Sequence, residues 1–323
     1  MKNFIKYNLK LIFVFLVISC SHGIKRTPQS NPIKGDNPQN SADSNYQSTV
    51  LFESENNSIS IDGPVMDIDG NKFIANVNQK GWISVKRSND KVFIDLLKLP
   101  DNGVASSMRI GKDKKIFLND YINHRIYTFD YSNLNPSLEL FYENKSLNQP
   151  NDMALAKDGS IYFSDPYWNK KEKKGAIYQL TKDKNLKVIF KDLRTPNGID
   201  LSPDETKLYF TDSISGDLFV ADLNKLNEGE LPSVLFEFKE DTVDGIRTDV
   251  DGNIYVTRIS LGQIDKISPE GILVQSYKLH GEFPTNLSFG GPEGKDLLIS
   301  NRTNSRLEII PIGIVGREWQ IVH

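Results

Sequence analysis

From Gln149 to Trp168 the chain alternates apolar and polar positions, reverses at Asp158-Gly159, and alternates again from Ile161 to Ser164. An Asp-Gly pair between two apolar runs predicts a β-hairpin. The arms are equal in length, so Asn151 and Asp165 should share one polar end while the apolar middle feeds a core. The pattern is written six times. Asp62-Gly63-Pro64 precedes IDGNKFIAN, Ser106-Ser107-Met108 precedes KDKKIFLND, and Asn151-Asp152-Met153 precedes KDGSIYFSD. Asn197-Gly198-Ile199 precedes PDETKLYFTD, Asp244-Gly245-Ile246 precedes VDGNIYVTR, and Thr285-Asn286-Leu287 precedes GGPEGKDLLISN. The leading residues are spaced by 44, 45, 46, 47 and 41 positions. A period of this length made of short strands predicts an all-β, six-bladed β-propeller of four-stranded antiparallel blades. A β-sandwich would have no reason to keep the period. A strand near Thr49 to Glu53 should pair with the last blade near Leu307 to Pro311, closing the ring and removing open edges.

The first 20 residues break the pattern. Lys2, Lys6 and Lys10 lead into the apolar run Leu11 to Ile18, which ends at Ser19-Cys20. That run is too short to span a bilayer and fits the core of a signal peptide. Val17-Ile18-Ser19-Cys20 resembles a bacterial lipobox, and Cys20 is the single cysteine of the chain. Residues 1–19 therefore read as a signal peptide and Cys20 as a lipidated mature N-terminus, with 323 − 19 = 304 residues retained. An ordinary signal peptide with a chance cysteine is the plainer alternative. Residues 20–47 are rich in Ser, Asn, Pro and Gln and poor in large apolar groups, which predicts a disordered tether. Residues 48–323 form the propeller domain. This layout places the protein in the cell envelope, held to a membrane by lipid on its periplasmic or outer face. Net charge is −3 with 25% charged residues, giving no reason to expect nucleic acid as a partner.

In a propeller the first strand of each blade lines the central channel, so the six leading residues converge on one mouth. They are Asp62, Ser106, Asn151, Asn197, Asp244 and Thr285. A second ring follows 14 to 16 residues later: Asn76, Asp120, Asp165, Asp212, Arg258 and Asn301. The first ring offers only oxygen donors. Two carboxylates and two amides suit a hard divalent cation, Ca²⁺ first and Mg²⁺ second, with Zn²⁺ least served because His and Cys are absent from the ring. Any one of these residues alone is a common turn residue; their shared register is what suggests a ligand set.

Gln149-Pro150-Asn151-Asp152 with FSDP, Thr195-Pro196-Asn197-Gly198 with LSPDETKLYFTD, and Val243-Asp244-Gly245 with DVDGNIYVT resemble the gluconolactonase/regucalcin (senescence marker protein) family. Phe283-Pro284-Thr285-Asn286 before FGGPEGKDLLIS adds a fourth match. The resemblance covers the whole propeller. It implies a six-bladed propeller with a divalent metal in the channel and, for many members, lactonase activity; diisopropyl fluorophosphatase is similar in fold and site. It further implies metal ligation by Asp62, Asn197, Asp244 and Asn151. Asp62 departs from the family's Glu by one methylene, so it must approach closer or act through water. Gln149 stands where animal relatives carry an Arg that grips a sugar lactone, which weakens the case for sugar lactones.

The activity expected is hydrolysis of a small-molecule lactone by a monomeric, Ca²⁺-dependent enzyme. The metal would polarise the carbonyl and Asp244 would act as general base, with Asp212 or Asp165 sharing that duty. Candidate substrate contacts are Gln149, Asn151, Asp152, Trp168 and Arg258; Arg258 is as readily a structural ion pair. Asn123-His124-Arg125-Ile126 resembles one NHL repeat, a propeller type that often binds proteins, and His124 reads as a loop residue. Lys170, Lys171, Lys173 and Lys174 read as a solvated loop tip. No serine elbow, Cys–His pair, P-loop or dinucleotide fingerprint is present. The competing reading is a non-catalytic propeller lipoprotein that binds a ligand or protein on its face.

Overall fold

The structure, a computed structural model, describes residues 48–322 apart from 55–59, 78–80, 169–171, 230 and 240–241. The signal peptide, Cys20, the tether, Lys170 and Lys171 lie outside the described residues. Six separate four-stranded sheets are present, each antiparallel between neighbours. Blades 1 to 5 start at Ile61–Met66, Met108–Ile110, Met153–Leu155, Pro196–Leu201 and Val243–Thr248, and blade 6 at Pro284–Gly290.

The hairpin of blade 3 forms as its alternation requires. Met153 pairs with Phe163 and Leu155 with Ile161, and Gly159 turns the chain with a φ of 87°. Asn151 N–H donates to the Ser164 carbonyl, so the two polar ends do coincide. The ring closes across its termini: β1 (Thr49–Phe52) pairs with the last strand, Arg306–Pro311, placing Thr49 opposite Ile309. This one strand completes blade 6 and closes the ring.

The apolar face of each sheet packs on the next blade rather than on a common centre. Val65, Phe73, Ile83 and Val85 of blade 1 meet Met108, Ile116, Leu118 and Phe129 of blade 2. Ile177 and Phe190 of blade 3 meet Ile199, Leu208 and Phe210 of blade 4. Full burial of each such side chain contributes about 1.5–3 kcal/mol. The axis is thus left to polar groups. After the last blade, residues 313–322 turn back beneath the ring. Val250 N–H donates to the Val315 carbonyl and Arg317 N–H to that of Thr248, followed by one helical turn, α1 (Trp319–Val322).

Candidate active site

The leading residues reach the mouth because their strands are bulged there. Regular pairing is broken between Asp62 and Val65, between Pro196 and Ile199, and between Val243 and Ile246. A bulge re-aims the side chain beside it, and each of the three carries a glycine just after the leading residue. The room is needed: a β-carbon on Gly63, whose φ is +52°, would stand 2.8 Å from the Ser107 Cα of the next blade. The neighbouring second strands then fasten the leading carbonyls. Asn119 donates to the carbonyl of Asn151, Ser164 Oγ to that of Asn197 at 2.5 Å, and Thr211 Oγ1 to that of Asp244 at 2.6 Å. Blades 2, 3 and 4 thereby each fix the leading residue of their successor.

Asp62, Asn197 and Asp244 come together. Asp62 is 6% exposed and Asn197 4%, while Asp244 keeps some surface at the mouth. Asp62 Oδ1 accepts from Gly63 N–H at 2.9 Å and Thr285 Oγ1 at 3.0 Å, and its Oδ2 lies 3.5 Å from Arg302 Nη2. Burial lifts the Asp62 carboxyl above its ordinary range, with Arg302 pulling the other way. Burial lifts Asp244 well above it too, and the Asp62 charge adds to the rise, whereas Arg302 and a hydrogen bond from Asn197 oppose it. A desolvated carboxylate that a neighbouring carboxylate raises further is a costly arrangement without a cation. The second sign is Asn197 itself. Its Nδ2 donates to Ser213 Oγ at 2.9 Å, yet its Oδ1 is buried with no hydrogen-bond partner among the described residues. An orphaned buried carbonyl oxygen beside two carboxylates fits a hard divalent cation. Among the described residues no three His, Cys, Asp or Glu side chains gather, so a cation here draws on amide oxygen as well as on Asp62 and Asp244. Asn151 is half-buried at the same mouth, and its side-chain amide makes no hydrogen bond among the described residues.

The second ring is a set of loop caps rather than a second reactive layer. The Asp212 carboxylate accepts from Thr195 N–H and Oγ1 and from the N–H groups of Ile214 and Ser215, at 3.0–3.2 Å. Asp165 accepts from Asn148 N–H at 2.8 Å and Gln149 N–H at 2.7 Å, and burial lifts it to about 6. Asp120 caps Val104, Ile122 and Asn123, and Asn301 caps Phe283 and Thr303. With their lone pairs committed to backbone donors, Asp212 and Asp165 are not brought to the cluster as bases.

Arg258 turns away as well. It donates to Asp265 Oδ2 at 2.5 Å and covers the Phe238 ring at 4.5 Å. Asp152 is fully buried, not a substrate contact. It takes Arg109 Nη2 and Arg247 Nη1 and Nη2 (both at 3.0 Å), with Ile199 N–H at 3.2 Å. Gln149 and Trp168 are half-buried at the mouth end of blade 3. His124 sits in a left-handed turn with φ 58°.

Sequence reasoning missed the layer below. Arg109 and Arg247 hold the same register in opposite blades, 2 and 5, and grip Asp152 from both sides; Asn286 Oδ1 lies 3.5 and 3.4 Å from them. From the far end the 313–322 segment inserts Arg317, whose Nη2 donates to Asp200 Oδ1 at 2.7 Å, and Glu318, 3.8 and 3.9 Å from the two Arg Nε atoms. Burial pushes Glu318 up to about 7, with Arg109 holding it from going higher. The available signal was an arginine inside an otherwise buried strand, in Met108-Arg109-Ile110 and Ile246-Arg247-Thr248.

Six four-stranded blades around a channel, with two carboxylates and two amides at its mouth, define a six-bladed propeller with a polar axial site. Residues 112–303, more than half of the chain, match the family described as the SMP-30/Gluconolactonase/LRE-like region, and the chain belongs to that family. It is 28% identical over 220 residues to a gluconolactonase of Zymomonas mobilis, a stretch covering 62% of this chain and 61% of that protein. It is 30% identical over 132 residues to bovine (Bos taurus) regucalcin, covering 40% and 44%. The chain thus spans about three fifths and under half of these relatives. Among solved structures, a calcium-binding protein, regucalcin, from Agrobacterium tumefaciens superposes with a TM-score of 0.70 at 21% identity, covering 84% of this chain and 96% of the other. A gluconolactonase from Xanthomonas campestris gives 0.67 at 18%, covering 81% and 88%. Both share the fold.

Proposed function

We propose that the protein is a divalent-cation-dependent hydrolase of lactones, with Ca²⁺ as the favoured ion. The observation that carries this reading is the orphaned Asn197 Oδ1 beside two carboxylates, Asp62 buried and Asp244 partly so, of which Asp62 raises Asp244. The donors are Asp62, Asn197 and Asp244, with Asn151 as a fourth oxygen. A bound divalent cation supplies Lewis acidity toward the lactone carbonyl.

The chain's own groups do the rest. Asp244, open at the mouth, takes the proton of the attacking water. Its carboxylate is oriented by Asn197 and its backbone is held by Thr211. Asn151, with an uncommitted amide, and Gln149 orient the substrate from blade 3, and Trp168 walls the same side. Gln149 in place of a cationic grip favours lactones other than sugar lactones. Family membership and the similarity to a gluconolactonase support the reaction class, and the similarity to regucalcins supports the choice of ion. At the N-terminus, a lipid on Cys20 would hold a monomeric domain at the envelope. Cys20→Ser should release it to the soluble fraction.

The deciding experiment assays aromatic, aliphatic and sugar lactones and a phosphotriester, before and after chelation, with Ca²⁺ restored afterwards. Lactone hydrolysis abolished by chelator, rescued by Ca²⁺ and lost in Asp244→Asn is the expected result. Turnover indifferent to chelator, or absent from every lactone, would sink the proposal.

A further inference from the structure

Arg302 lies beside Asp62 at the mouth, and the reaction described above does not use it. Arg302 follows the second strand of blade 6 and is 49% exposed on its side chain. Its backbone is pinned, with its N–H donating to the Phe283 carbonyl at 2.9 Å and its carbonyl accepting from Ser305 N–H. Its single ion pair among the described residues is the 3.5 Å contact to Asp62 Oδ2. Its charge is felt by Asp62, by Asp244 and by the half-buried Tyr121 phenol of blade 2. Arg302 and Tyr121 therefore flank Asp62 from its two neighbouring blades.

Charge counting decides what Arg302 is for. Asp152 is engaged below by Arg109 and Arg247, so among the described residues the charges acting on the cluster itself are those of Asp62, Asp244 and Arg302. A divalent cation offsets the two carboxylates and leaves the guanidinium without a counter-charge. Glu282, on the adjoining loop, makes no ion pair among the described residues, and its backbone N–H is bound to Thr303 Oγ1. A half-exposed, uncompensated guanidinium beside a reaction centre is a receptor for one negative charge, and its planar fork suits a carboxylate. Blade 3, directly across the ring, offers the neutral Gln149.

We infer that Arg302 is a specificity-determining residue that grips a carboxylate substituent of the substrate, so that the preferred lactones are monoanions bound from the blade 6 side. The inference rests on the hydrolase reading for its substrate, though the anion site can be tested without turnover.

The probes are a γ-butyrolactone carrying a ring carboxylate and its neutral carboxamide. Each is titrated calorimetrically into the Ca²⁺-loaded protein, with hydrolysis followed in parallel. The wild type should favour the acid over the amide through KM. Arg302→Gln should lower that preference about ten- to a hundredfold, the size of a charge-assisted bond, and Arg302→Lys should recover part of it. Arg302→Gln should also bind Ca²⁺ more tightly, because a positive charge beside Asp62 is gone; a merely structural arginine would not produce these opposite effects. Equal handling of acid and amide by the wild type, a ratio unchanged in Arg302→Gln, or unaltered Ca²⁺ affinity would each overturn the assignment. Arg302-dependent binding of the acid without hydrolysis of either probe would leave the anion site standing and remove the hydrolase reading instead.

Discussion

A β-carbon placed on Gly198 would lie 2.4 Å from the carbonyl oxygen of Asp244 and 2.6 Å from the amide nitrogen of Ile246. The contact is backbone on backbone between blades 4 and 5, so neither side can swing away. It is this closeness that sets Asn197 against Asp244. Gly198→Ala should therefore cost about 1–3 kcal/mol, as overpacking does, and should shrink any Ca²⁺-induced stabilisation. Denaturant unfolding with and without Ca²⁺ measures both.

Calcium should stabilise the domain, and more so at about pH 7 than at about pH 5. Burial raises Asp62 and Asp244 above the ordinary value of 3.8. Each therefore favours the fold when protonated, a contribution complete below the ordinary value and lost as pH rises through the elevated one. A bound cation removes that loss. Asn197→Leu should lower the calcium-free melting temperature through the lost Ser213 hydrogen bond and abolish the calcium shift. Melting curves across pH, with chelator or Ca²⁺, would show a pH-independent shift if this were wrong.

Removing the Asp152 carboxylate strands two arginines in the channel. Asp152→Ala should destabilise by about 3–5 kcal/mol, the range for a broken buried ion pair. A variant that unfolds within about 1 kcal/mol of wild type would mean that Arg109 and Arg247 are neutralised from elsewhere.

Glu318 makes the far end of the channel sensitive to pH. Its value is raised from 4.5 to about 7, so the protonated form supports the fold. That support is full below the ordinary carboxylate range and fades as pH climbs through about 7, amounting to at most about 3 kcal/mol. Glu318→Gln should flatten this part of the stability profile, read by unfolding at several pH values.

Much of the fold was legible because a propeller repeats its grammar. The Asp-Gly reversal at 158–159 and the recurring leading residues located the blades, and the apolar strand at Thr49 announced the closure. Asp62, Asn197 and Asp244 were legible as a cluster because register alone determines which residues meet on an axis. The second ring was misread for a physical reason. Asp165 and Asp212 share the polar end of their hairpins with the leading residues, but period-2 alternation does not reveal whether a carboxylate faces the channel or its own loop. The residue just before each one carries the informative contact: Asn119, Ser164 and Thr211 reach across to the next blade. Asp152 was misread because its partners, Arg109 and Arg247, lie 43 and 95 positions away. The 313–322 segment has no repeat to be read against, so its insertion into the channel had no signature.

The closing strand also governs when this molecule can come into being. Ser48 and Glu308 are hydrogen-bonded across 260 residues of chain, so the last blade borrows its outermost strand from the beginning of the polypeptide. During synthesis β1 emerges first and stays unpaired until the last strand, Arg306–Pro311, has emerged to meet it. Contacts of such long sequence separation form late and slowly.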